Sequence, residues 1–467
     1  MDLLLLRKRE LERRTQELPV EVAEWKTLTE TDLDSNLHWS QMEAISQLIA
    51  SYRAKYDALL GNLPAETDKA SYESALYEIL MTIASAQRAW DFFRRKFDQR
   101  KSDRFRKRLR VADIIAIDCY DAAIGAAKAR GWIEADDVRE PPLTYLSPEL
   151  SPMTWARGTR PNDGQSEELV GNTLPIPVVE VPYDQTANVW EFLSISHEVG
   201  HEIDADLKLL PNIKANLKNI FETSQIPKDR RLRWQGWASE IFPDLLALHF
   251  SGPAFAYMLR NVLILPADQV IQIVAGDPHP NHYIRVLLCA AYIRTMGAKS
   301  ADAAFRSALE RHADAVEADW KPLYGDPVAL KDYMPDIPMV ISGIMDSPIP
   351  CLAGATLRSL VDYTNAHEDA IVKCATSLRQ FNSNVGIAPR HAVSAVRIAI
   401  NDAIANNSLD AEIDNLSTNA ILLLDKNAPK GKRTISDPLM SSPSARKSRI
   451  ERFVAQELSR PSESSQG

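Results

Sequence analysis

The sequence predicts a mainly α-helical protein with a small β-sheet, an α+β arrangement in which helices dominate. Three observations carry this. Gly is scarce, at 17 of 467 residues, while Ala and Leu recur throughout, a composition that favours helices over a β-rich fold. Apolar residues return at three- and four-residue steps over long stretches, the period of a helix that buries one face. Only one segment, LPIPVVEVPYD (174–184), reads well as a strand, through its run of valines.

Residues 1–135 read as a helical N-terminal region. SQMEAISQLIASYRAKYDALL (40–60) and YESALYEILMTIASAQRAWDFFRRKF (72–97) show the helical step, and Asn62 to Glu66, with Pro64, make a turn between them. The opening MDLLLLRKRELERR has only four leucines before a charged stretch, too few for the apolar core of a signal peptide. The run from Arg94 to Arg110 holds ten basic residues against Asp98 and Asp103. It reads as a solvated helix face that offsets acidic neighbours, with docking of an acidic protein partner as the functional alternative. Interleaved stacking aromatics and base-reading motifs are missing from it, and the net charge of -9 adds no case for nucleic acid.

A second region spans 136–300. From Pro141, PPLTYLSPELSPMTWARGTRPNDG is rich in Pro, Ser and Gly and reads as loop and linker. The strand candidate follows, and Pro175, Pro177 and Pro182 place it at a sheet edge, since Pro cannot donate to a ladder. Val178, Val179 and Val181 form its centre, with a start as early as Leu174, and Tyr183 to Asn188 turn the chain into a helix. Helical texture then runs, with breaks, from Trp190 to about Asp425, so 301–426 form a C-terminal helical region. The tail 427–467 is rich in Ser, Pro and basic residues and reads as disordered, apart from a short helix at 448–458. Cys119, Cys289, Cys351 and Cys374 are far apart without CxxC spacing, so neither a disulfide framework nor a cysteine metal site is expected. A reducing, cytoplasmic location follows as the expectation, and no stretch approaches the ~18 apolar residues of a membrane span.

The chemistry concentrates in WEFLSISHEVGHEIDADLKLL (190–210). HEVGH fits the HExxH pattern: residues four apart share one helix face, so His197 and His201 can present imidazole nitrogens to one tetrahedral metal. Glu198, beside the first histidine, can reach a water held there, whose pKa zinc brings towards neutrality, and accept its proton. Phe192, Leu193, Ile195, Val199 and Ile203 supply the apolar side, and Gly200 is expected to leave space beside the metal. Glu202 is an unusual charge at its position.

A third ligand is needed. The metzincin pattern wants Gly at 204 and His or Asp at 207, where this chain has Asp204 and Leu207. WASEIFPDLLALHF (237–250) offers Glu240 as ligand and, one turn on, Asp244 to buttress a ligating histidine. Asp204 and Asp206 are the fallback ligands. Pro243 must sit near the first turn of this helix or kink it.

GDPHPNHYIRVLLCAAYIR (276–294) then brings His279-Pro280, four residues, and Arg285 at the head of an apolar helix. In this order of blocks, over about 190–295, the chain resembles the gluzincin metallopeptidases, and within them the HtpX-like and CAAX-processing branch. The resemblance implies a zincin-like catalytic domain flanked by helical regions, one Zn2+ per chain, and a peptide or protein substrate. It further implies that His279 or Arg285 lies near the metal, to stabilise an oxyanion or to orient the Glu240 helix. By chemistry alone His282 and Tyr283 are rival oxyanion donors, and a Pro-initiated helix with a structural Arg salt bridge is the plain alternative. Members of that branch are membrane-embedded, so membrane-protein or prenylated substrates are not carried over. In such domains a sheet-edge strand before the active helix receives the substrate as an added strand, and Val178 to Val181 are the candidates. A zinc hydrolase of non-peptide bonds, an inactive binding module and a helical scaffold with a coincidental motif are the competing expectations.

Overall fold

The computed structural model describes residues 3–31, 36–134, 140–159, 174–224, 226–380, 382 and 385–426. The tail expected to be disordered, with its short helix, lies outside these residues.

Four long helices come first: α1 (Leu3–Thr31), α2 (Trp39–Gly61), α3 (Lys69–Asp98) and α4 (Arg106–Ala129). α2 and α3 cover the two segments whose apolar steps predicted them. The chain between them turns at Asn62–Glu66 as expected, and Asp68 caps α3 by accepting from the Ser71 N–H at 3.3 Å. That cap satisfies one of the donors a helix start leaves open. Between Leu109 and Ala127, α4 is buried nearly all round, as a helix at the centre of a larger core must be. The basic run ends α3 and begins α4, and several of its charges are paired with acids. Arg94 pairs with Asp91, Asp98 and Glu21, Lys101 with Asp98, Arg100 with buried Asp113, and Arg110 with Asp425.

The sheet has three strands, β1 (Leu143–Ser147), β2 (Met153–Trp155) and β3 (Val178–Pro182), in the order β1-β3-β2. β1 runs parallel to β3, pairing Leu143 with Val178, and β2 runs antiparallel, pairing Thr154 with Val179. This corrects two expectations. The stretch expected to be loop from Pro141 holds two strands within its described residues, 141–159. The valine strand is central instead of an edge, so it has no free side on which to receive a substrate. Pro175 and Pro177 lie before it and Pro182 is its last residue, so no proline interrupts the paired valines. All five of its residues are buried. Val179 and Val181 enter the main core with α4 and the helix of the histidine motif, while Val178 on the other face joins the core of α2 and α3. This is the period-two alternation of a strand with both faces covered. The edge beside the motif belongs to β2.

The rest is helical: α5 (Ser194–Leu207), α6 (Leu209–Thr223), α7 (Lys228–Ser251), α8 (Ala254–Val262), α9 (Ala267–Ile271), α10 (His282–Ala298), α11 (Ala303–Tyr324), α12 (Ile337–Ile341), α13 (Asn365–Arg379), α14 (Pro389–Ala405) and α15 (Leu409–Lys426). One continuous hydrophobic core takes residues from Leu37 to Leu424, including α4, α5, α7, α10 and α14. Among the described residues no helix is long and apolar enough to cross a membrane.

Candidate metal centre

α5 carries HEVGH as predicted, with His197, Glu198 and Gly200 buried. It ends where Lys208 takes a left-handed conformation at φ 58°, and Asp204 closes that turn by accepting from the Leu210 N–H at 2.6 Å. α5 packs against α7, and Gly200 is the reason the two helices come so close. A Cβ at residue 200 would stand 2.9 Å from the Pro243 Cβ and 3.0 Å from its Cα. The missing side chain therefore makes room for Pro243, not for the metal. Pro243 itself lies well inside α7, between Glu240 and Asp244, far from the first turn.

This contact places Glu240 over the two histidines. His197 Nε2 lies 3.2 Å from His201 Nε2 and 3.3 Å from Glu240 Oε2, and His201 Nε2 lies 3.5 Å from the same oxygen. The three atoms form a nearly equilateral triangle, and these residues could hold a metal ion. A tetrahedron with zinc–ligand bonds of ~2.0–2.1 Å has edges of about 3.3–3.4 Å, so the donor set, its spacing and its chemistry all fit that ion.

The supporting residues follow from α7 and α10. Asp244 Oδ1 lies 2.7 Å from His197 Nδ1, while Arg285 donates to the same carboxylate through Nε at 2.5 Å and Nη2 at 2.9 Å. His279 Nε2 lies 3.1 Å from Glu240 Oε2, and its Nδ1 3.0 Å from Asp277 Oδ1. α10 is capped by Asn281, whose side chain accepts from the Ile284 N–H at 2.9 Å, so Pro280 precedes the cap. The Tyr283 hydroxyl is turned away, donating to the Gly325 carbonyl at 2.7 Å. His282 Nδ1 is buried without a hydrogen-bond partner, and His282 joins neither the histidine pair nor Glu240 by any hydrogen bond in the structure.

Electrostatics agree with this arrangement. Burial disfavours the charged form of His197, but Asp244 and Glu240 outweigh it and raise its pKa to about 9. Burial also opposes the Glu240 charge, yet hydrogen bonds with His197, His201 and His279 hold it far below the carboxylate range. For Asp244 burial is again overcome, by Arg285 and His197, and its pKa falls.

The fallback ligands lie elsewhere. Asp204 closes the α5 turn, and Asp206 accepts from the Tyr120 hydroxyl at 2.5 Å. Several residues carried no spacing signal in the sequence. Thr154, on β2, donates towards Glu198 Oε2 at 2.8 Å and towards the Glu198 carbonyl at 2.9 Å. Arg157 binds Glu202 with its backbone N–H at 2.9 Å, and its guanidinium reaches Glu140, Asp206 and the Tyr120 hydroxyl. That cluster accounts for the unusual charge of Glu202, which is fully buried. A long-range contact of this sort leaves no local pattern.

Compared with protein-family models, with curated proteins and with solved structures, the chain matches none.

Proposed function

We propose that the chain is a zinc-dependent peptidase of the gluzincin type, with one Zn2+ held by His197, His201 and Glu240. The triangle of two imidazole nitrogens and one carboxylate oxygen, with edges of 3.2, 3.3 and 3.5 Å, is the observation that carries this reading. When bound, the ion would polarise a carbonyl and make a water acidic enough to lose its proton near neutral pH.

The chain's own groups would do the rest. Asp244 accepts a hydrogen bond from the Nδ1–H of His197, which leaves Nε2 free to ligate, and Arg285 holds Asp244 in place with two hydrogen bonds. Two of its three guanidinium nitrogens, Nε and Nη2, are engaged there, and Asp244 buttresses His197, which favours the orienting role over oxyanion binding. Glu198 accepts the proton of the attacking water and passes it to the leaving amine. His279, partly exposed and beside Glu240, is the candidate donor to a developing oxyanion, and it would have to release Glu240 or Asp277 to serve. Tyr283, committed to Gly325, is the poorest of the four donors considered.

Metal analysis and cleavage mapping on a peptide library test this together. Wild type should contain close to one zinc per chain and cleave, His197→Ala should lose the metal, and Glu198→Gln should keep it without cleaving. Equal zinc in wild type and His197→Ala, or identical cleavage by wild type and Glu198→Gln, overturns the proposal. Hydrolysis confined to ester or other non-peptide substrates would move it to a different hydrolase class.

A further inference from the structure

α5 shows two faces to two neighbours. His197 and His201 face α7, while Glu198 and Glu202, each one residue on and so turned by ~100° about the axis, face β2. Glu198 meets the Thr154 hydroxyl, and Glu202 meets the Arg157 backbone N–H, three residues further along the same segment. The edge strand is therefore fastened to the motif helix at two successive turns. The second fastening is buried deeply: Glu202 is fully buried, and the Arg157 guanidinium is tied to Glu140, Asp206 and Tyr120. Thr154 has a fixed place because its strand pairs with Val179 of central β3 on one side and its neighbour Arg157 is anchored on the other.

We propose that Thr154 is the positioning residue for Glu198, committing one carboxylate oxygen and leaving the other to take the proton. This rests on the peptidase reading above. The Thr154 hydroxyl has one proton and two acceptors, Glu198 Oε2 at 2.8 Å and the Glu198 carbonyl at 2.9 Å, so it bridges the side chain to its own backbone. Glu has three rotatable side-chain bonds, and a free carboxylate samples many positions. Bridged in this way, it has one orientation, with Oε1 as the oxygen open to exchange a proton. Oε2 can keep accepting from Thr154 whether or not Oε1 is protonated, so the same contact serves both proton transfers. The bond is charge-assisted and largely removed from water, where such a contact has its greatest effect. Thr154 touches neither metal nor substrate in this scheme; it acts through Glu198.

Thr154→Val removes the hydroxyl at nearly constant volume, and Thr154→Ser keeps it while losing a methyl. We expect both variants to bind zinc as wild type does. Thr154→Val should lower kcat on a mapped peptide by ~10–100-fold, the effect of one charge-assisted hydrogen bond, with KM little changed. Crystal structures of the zinc-loaded proteins should show the Glu198 carboxylate displaced in Thr154→Val and back in place in Thr154→Ser, with kcat largely restored. Should the valine variant not fold, Thr154→Ala makes the same deletion. A Glu198 carboxylate that keeps its wild-type position without the hydroxyl overturns the proposal, as does a serine variant that restores nothing. If the wild type binds zinc and cleaves no peptide, the peptidase reading falls, and the position of Glu198 in the two variants still decides the role of Thr154.

Discussion

Asp244 shows how one buried carboxylate can serve two partners. It is 1% exposed, and it is tolerable there because Arg285 and His197 both donate to it. A buried charge without such partners would cost several kcal/mol. Removing either side of the arrangement should therefore have different effects. Asp244→Asn keeps the shape but weakens the hold on the His197 Nδ1 proton, and zinc affinity should fall ~10–100-fold as measured by chelator competition. Arg285→Met strands the Asp244 charge, and we expect a loss of ~3–5 kcal/mol in denaturant unfolding of the zinc-loaded protein. If Arg285→Met were neutral for stability while abolishing turnover, Arg285 would be acting on substrate instead. His279 is the complementary case: it is partly exposed and its ring nitrogens pair with Glu240 and Asp277, so His279→Ala should leave folding unchanged and lower kcat.

At the scale of elements, the triangle of His197, His201 and Glu240 depends on how closely α5 approaches α7. Gly200 and Pro243 interlock at the one point where a methyl group would clash. Gly200→Ala should separate the two helices, costing ~1–3 kcal/mol through overpacking, and should weaken zinc binding although residue 200 bears no ligand. A thermal melt with and without zinc reads both effects. An alanine variant with wild-type melting and wild-type affinity would show that the interface has slack the structure does not display. β2 illustrates the same dependence. Three residues in a Pro- and Ser-rich stretch become a strand because β3 offers a free edge and α5 offers Glu198 and Glu202. Nothing in MTW alone would select that conformation, since short strands are stabilised by partners and not by propensity.

Across the whole molecule, α7 links the candidate metal centre to the C-terminal helices through one core, beside which further histidines are buried. His249, on α7, is fully buried, with Nδ1 2.6 Å from the Val361 carbonyl and Nε2 2.5 Å from the Tyr292 hydroxyl. Burial, and then Arg358, lower its pKa to about 4. A histidine whose folded pKa lies below its unfolded value favours the folded state when neutral. Its contribution is thus complete above about pH 6.5 and is lost as pH falls towards 4, at no more than ~1.4 kcal/mol per pH unit. The stability difference between wild type and His249→Gln should therefore shrink on acidification through that window, read from urea midpoints at several pH values. A difference constant between pH 7 and 4.5 would mean that His249 titrates alike in the folded and unfolded chains.

The helical class, the long helices α2 and α3, and the motif helix with His197, Glu198 and His201 were legible in the sequence, because they rest on spacing within one segment. A period of three to four residues fixes a face, and two histidines four apart need only a helix to become neighbours. Glu240 and Asp244 were legible as a pair on one later helix face, but it was the resemblance to the gluzincin order of blocks, and not their spacing, that singled them out. What only the tertiary structure decided are the contacts between segments far apart in the chain. Thr154 beside Glu198, Arg157 beside Glu202, Pro243 against Gly200 and Arg285 on Asp244 each depend on the fold bringing two surfaces together. The valine strand shows the limit most clearly: its valines marked a strand, but where it begins and whether it lies at an edge or in the middle were set by its partners β1 and β2, which sit in a Pro- and Ser-rich stretch.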